Sequence, residues 1–106
     1  MKKFITIAVK EPDKDWRMNV VEDVLPAYQK IVGGNIEFCH STKSGILIFG
    51  NEEGKLRGLE PNIEMYNDII VGTVFAVRSD EEGEFETLTD EDFVELGIKG
   101  DGNGKK

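Results

Sequence analysis

The chain is expected to fold as an α+β domain in the order β-α-β-β-(loop)-β-α, a mostly antiparallel sheet covered by helix. Three observations predict this. Phe4, Ile5, Ile7 and Val9 alternate as a strand does. Val21, Val24, Leu25, Tyr28, Ile31 and Val32 recur at helical spacing before Gly33-Gly34. Residues 69–77, Ile-Ile-Val-Gly-Thr-Val-Phe-Ala-Val, form an apolar run of strand length. A length of 106 residues fits one domain over residues 1–100 with a polar, mobile tail at 101–106.

The first strand should end at Glu11-Pro12-Asp13, a turn-forming cluster. A charged connection over residues 10–18 follows, and its Trp16 is expected to fold back on the edge of the core. Asn19 is placed to cap the helix and Gly33-Gly34 to end it. Pro26 either kinks that helix or starts its regular part, and both readings leave a regular helix from Pro26 to Val32. Ile36, Phe38 and His40 alternate ahead of a five-residue loop and the run Ile46-Leu47-Ile48-Phe49, which predicts a hairpin. The run over residues 69–77 is expected to be one central strand with Ile70, Val74 and Phe75 in the core, and Gly72 marks a bulge or a close backbone approach. Thr89 should cap a last helix whose buried side is Phe93, Val94, Leu96 and Ile98.

Charge narrows the function. The net charge is −8, and from Ser79 to Ile98 there are nine acids and no Lys or Arg. Clustered bases are what drive nucleic-acid binding, so direct binding of DNA or RNA is not expected. The acidic stretch reads as a solvated face or as a face for a partner. No apolar run approaches the roughly 20 residues of a membrane span, and the basic start at Lys2-Lys3 leads into a strand instead of a signal sequence. With a single cysteine as well, the chain is expected to be cytoplasmic, and a monomer is favoured over a dimer.

Candidate chemistry is sparse. Cys39 and His40 are strand neighbours, so their side chains point to opposite faces and cannot act as nucleophile and base; one His and one Cys also make a poor zinc set. Asp80, Glu82, Glu84 and Glu91 have calcium-loop spacing, but Phe85 occupies the position that needs glycine. Gly54-Lys55-Leu56-Arg57-Gly58 lacks the order of a phosphate loop. No catalytic residue, metal or cofactor is therefore assigned. The richest segment is 51–62, Asn-Glu-Glu-Gly-Lys-Leu-Arg-Gly-Leu-Glu-Pro-Asn. In one reading it is a scaffold loop: 52–55 turn, Leu56 and Leu59 plug the core, and Pro61-Asn62 start a short helix through Tyr66. In the other, Glu52, Glu53, Lys55, Arg57 and Asn62 present a polar binding surface.

Four blocks in order carry a family resemblance: Leu25–Glu37, the central segment 51–62, Asp68–Val77, and Gly83–Asp90. Together they resemble a small family of phages and mobile elements, the domain of unknown function numbered thirty-eight forty-six. Pro26 in the helix block and Glu60 before Pro61 depart from its pattern. The resemblance implies no established activity. With the acidic second half and the missing catalytic set, it implies a non-catalytic accessory module that docks on a host or element protein, inhibition being one mode of action. The alternative is a binder of a small anionic or nucleotide-like ligand, or a weak enzyme, built on the 51–62 loop.

Overall fold

The computed structural model describes residues 1–65 and 67–98. The tail at 101–106 and Tyr66 lie outside them. Strand β1, Phe4–Lys10, pairs antiparallel with β2, Arg17–Glu22, in an unbroken register from Phe4 opposite Glu22 to Val9 opposite Arg17. Ile5, Ile7, Val9 and Val21 are buried in one core cluster. Phe4, Met18 and Val20 occupy the alternate positions and are exposed.

The charged connection expected over 10–18 and the helix cap assigned to Asn19 give way to β2, where Asn19 lies opposite Ile7. Only Val21 of this edge strand is buried, so its apolar pattern never separates period two from the helical period of the residues that follow. Helix α1, Leu25–Val32, carries proline in its first turn, where no helical hydrogen bond is lost, and ends at Gly33 with φ 83°. Val24 stands at its start without a side-chain cap.

The expected hairpin is β3, Ile36–Ser41, and β4, Leu47–Asn51, with a bulge between Phe38 and His40. Beyond it the apolar run is not one strand. It divides into β6, Ile69–Val71, and β7, Val74–Ser79, with Gly72 between them at φ 79°. A Cβ on Gly72 would lie 2.7 Å from Leu59 Cδ1, so the close approach is present, at a turn between sheets and not at a bulge within a strand. Residues from Pro61 onward form β5, Pro61–Glu64, paired with β6, in place of the expected short helix. Pro61 tolerates this because it begins the strand.

The main sheet runs β2-β1-β7-β4-β3, all antiparallel, and the short β8, Phe85–Glu86, pairs with the end of β7. Helix α1 covers one face, where Tyr28 stacks on Phe75 at 5.1 Å and Phe49 stacks on Phe75 at 5.4 Å. The opposite face carries Ala8, Ile46, Ile48, Val74 and Ala76 under Ile70 of β6 and Phe93 of α2, Asp90–Glu95. Trp16 packs against this second cluster, as its sequence context predicts. Ile70, Val74 and Phe75 are all core residues.

Helix α2 is held by charge as well as packing. Thr89 and Asp92 form the reciprocal capping box, and Asp92, only 2% exposed, accepts from Arg78 Nε at 2.6 Å and Nη2 at 2.9 Å. Arg78 Nη2 also donates to the Ser44 carbonyl, which ties the β3–β4 turn to the same pair. Val94 faces outward at 67% exposure, contrary to its expected place in the core, whereas Phe93 is buried as expected. Among the described residues no helix is long and apolar enough to cross a membrane.

Two outcomes are expected. Phe75→Ala should lower unfolding free energy in urea by about 3–5 kcal/mol, since it empties a ring-sized volume between Tyr28 and Phe49; a loss below about 1 kcal/mol would contradict the central position of β7. The Arg78 guanidinium, opposed by burial and helped by the Thr89 amide, holds the Asp92 carboxyl below its ordinary 3.8. A depressed folded pKa contributes stability above the unfolded value and loses it as pH falls through the folded one. Melting temperature should therefore drop as pH falls below about 4, and Asp92→Asn should be less stable at neutral pH with a flatter acid limb.

Candidate functional site

The segment 51–62 is built around amides and carbonyls at the end of α1. Asn51, 8% exposed, donates from Nδ2 to the Val32 carbonyl at 3.1 Å and accepts the Glu53 amide at Oδ1 at 2.7 Å. One side chain thus serves a carbonyl that the helix leaves open and starts the next turn. The Glu52 amide donates to the Asn35 carbonyl at 2.8 Å, and Arg57 Nη1 donates to the Gly33 carbonyl at 3.0 Å. Gly34 makes room for this union, because a Cβ there would sit 2.9 Å from Asn51 Nδ2. The double glycine and the polar block, eighteen positions apart, are two halves of one joint.

The five candidate residues divide by role. Asn62 donates from Nδ2 to the Lys10 carbonyl at 2.8 Å and the Gly72 carbonyl at 2.7 Å, and accepts Lys10 Nζ at Oδ1 at 2.7 Å. It is a brace between β1, β5 and the turn before β7. Arg57 is committed to Gly33. Glu52, Glu53 and Lys55 are exposed; Glu52 accepts from Asn35, and Lys55 makes a short ion pair with Asp68 that links the loop to the start of β6. Lys55, together with the Ile69 amide, holds the Asp68 carboxyl below its usual range.

Between these elements lies a cleft of about 200 Å³ lined by Glu37, Cys39, Glu52, Lys55, Asp68 and Ile69, with Phe38 and Leu56 at its margin. Leu56 does not plug the core. It stands 89% exposed at the tip of the loop, while Leu59 lies over Gly72. Phe38 and Ile69 add further exposed apolar area at 52% and 38%. The Lys55–Asp68 pair separates this cleft from an open depression lined by Pro61, Glu64, Met65 and Asn67.

Sequence reasoning missed Asp68 and the outward set of Leu56. The run Asp68-Ile69 offered only its charge next to a strand, and a leucine between Lys55 and Arg57 reads as a plug when the backbone path is unknown.

Cys39 lies at the floor of the cleft, and its Sγ is 3.5 Å from the Glu37 carbonyl. Burial pushes its thiol pKa up, and the Glu37 carboxylate adds to the effect. The neutral thiol is a poor nucleophile at pH 7. Among the described residues no cluster of three or more His, Cys, Asp or Glu side chains has metal-binding geometry. In the acidic turn, Asp80 Oδ1 accepts the amides of Glu82 and Glu84, so it acts as a turn residue.

Asn51→Ala and Asn62→Ala should each lower stability in urea unfolding by about 1–3 kcal/mol, because each leaves a backbone carbonyl without its partner. Glu53→Ala should change it by about 0.5 kcal/mol or less. Equal effects for all three would remove the distinction between joint and surface. Alkylation of Cys39 by iodoacetamide should be slower at pH 7 than that of an unfolded control peptide and should accelerate in Glu37→Gln.

No curated protein and no solved structure matches the chain. A family profile described as a domain of unknown function, DUF3846, matches residues 5–98, which run from the second residue of β1 past the end of α2. The chain belongs to the DUF3846 family of domains of unknown function.

Proposed function

We propose that the protein is a non-catalytic binding module that docks on a protein partner through the surface around the 51–58 loop, as an accessory protein of a phage or mobile element that occupies and inhibits its target. The observation that carries this reading is Leu56, 89% exposed at the tip of a loop fixed to the end of α1 by Asn51 and to the residues just after it by Glu52 and Arg57. A large apolar side chain held rigidly in water, beside Ile69 and within a rim of Glu52, Glu53 and Lys55, is the arrangement of an interface anchor. Fixing the loop beforehand lowers the ordering cost of association.

The size of the cleft favours a protein over a small ligand. Its volume of about 200 Å³ is below the roughly 300–1,000 Å³ of sites that enclose small molecules, and the adjoining depression of about 730 Å³ is an open surface and encloses nothing. The neighbouring depression is open and extends the surface past the Lys55–Asp68 bridge, which suits a broad contact. Glu37, Glu52, Glu53 and Glu64 outnumber the bases on this side, so the complementary partner surface carries Lys or Arg.

The test pairs stability with capture. Leu56→Asp should keep the wild-type melting temperature and weaken binding of the captured partner by about 2 kcal/mol or more, near 30-fold. Lys55→Ala should weaken it less, and Glu91→Ala on α2 should leave it unchanged. Binding should also weaken from low to high salt. A stable Leu56→Asp variant with undiminished capture would move the docking surface away from this loop. A shift in melting temperature with one small anionic ligand, lost in Lys55→Ala, would favour the small-ligand reading.

A further inference from the structure

We propose, in place of the monomer expected from the sequence, that the protein forms a symmetric homodimer in which β2 of one copy pairs antiparallel with β2 of a second copy, extending the sheet across a two-fold axis at Val20. The main sheet ends in β2 on one side and β3 on the other. The β3 edge is interrupted by the bulge between Phe38 and His40, a device that discourages pairing. The β2 edge has no bulge, no proline and no lysine, and keeps an even register over its whole length. Such an edge presents a ready row of main-chain donors and acceptors.

The direction of those groups follows from one bond. The Asp23 amide donates to the Lys3 carbonyl at 2.8 Å, so position 23 faces β1. By alternation Arg17, Asn19 and Val21 also face β1, and the main-chain groups of Met18, Val20 and Glu22 face outward, the Glu22 carbonyl already accepting the Val24 amide at 2.8 Å and keeping one lone pair for a partner. Pairing about Val20 sets these outward groups against their own copies, Val20 opposite Val20 and Met18 opposite Glu22.

Side chains favour a second copy over an unrelated strand. Exposed large hydrophobic residues concentrate around this edge: Phe4, Met18, Val20, Val24 and Leu25 are each 40% exposed or more. Charge along the strand is opposite at its two ends, with Arg17 at the start and Glu22-Asp23 at the finish. Within one copy Arg17 is paired with Glu11, and Asp23 with Lys3 and the Tyr28 hydroxyl; antiparallel self-pairing joins the two sets by bringing Arg17 opposite Asp23 of the second copy on one face, whereas parallel pairing would set like charges together. The strip thus avoids the repulsion that a net charge of −8 imposes on the rest of the surface. The 51–58 loop leaves β4, three strands away from β2, so the dimer leaves it free.

The experiment is a concentration series by sedimentation equilibrium on the full chain. The expected mass tends to twice 11.9 kDa as concentration rises. Val20→Lys, which sets two ammonium groups against each other at the axis, should raise the dissociation constant at least tenfold, and Val20→Pro, which removes only an outward amide, should do the same. If Val20→Pro fails to fold, Val20→Lys and a cross-link decide the matter. In a Cys39→Ser background, Val20→Cys should oxidise to a disulfide-linked dimer, since opposite Cα atoms in such a pair lie about 5.5 Å apart. Glu81→Cys in the same background should not. A mass of 11.9 kDa at every concentration would overturn the proposal. So would a dimer that survives Val20→Lys without cross-linking at position 20, or a monomer whose β2 instead takes up a strand from another protein.

Discussion

Strand β7 has Val74, Phe75, Ala76 and Val77 all fully buried, with alternate side chains in two different core clusters. A strand buried on both faces demands a cover on both, and a chain this short has little material to provide them. Helix α1 alone covers one side. The other is assembled from α2 and the β5–β6 ribbon, neither of which has enough apolar area to stand independently. The fold is therefore a central strand that dictates its neighbours, and the polar contacts decide how firmly those neighbours are attached.

Each cover has its own polar fastening. The Arg78–Asp92 pair fixes α2, Asn62 fixes the β5–β6 ribbon to β1, and Asn51 with Arg57 fixes the central loop to the end of α1. No buried side-chain nitrogen or oxygen among the described residues lacks a hydrogen-bond partner. Full satisfaction matters because a buried polar group costs stability when unpaired and confers geometric uniqueness when paired. The loop that carries Leu56 inherits this rigidity from Asn51, although its own tip is in water.

Elements with two-sided or strongly periodic burial were legible in the sequence. These include β1, the β3–β4 hairpin, the Pro26–Val32 helix and the Thr89-capped α2. What escaped were elements whose pattern depends on a distant partner. Arg17–Glu22 is a strand only because β1 lies beside it, and Pro61–Glu64 is one only because Gly72 turns the apolar run back on itself. Of the candidate residues, Glu52, Glu53 and Lys55 sit at the surface as the sequence suggests, but the same polar letters conceal scaffold roles in Arg57 and Asn62. Side-chain amides and guanidinium groups serve backbone carbonyls and ligands equally well, so type alone does not tell the two uses apart.

The joint between the double glycine and Asn51 has an evolutionary consequence. Because the bonds that hold the loop come from Asn51, Arg57 and main-chain groups, the outward positions Glu53 and Leu56 are released from any duty to the fold. Lineages can rewrite those positions without retuning the core, as loop tips on fixed scaffolds permit. Such a separation means that substitution at the tip costs the fold little, whereas substitution of the glycines and asparagines beneath it would undo the joint.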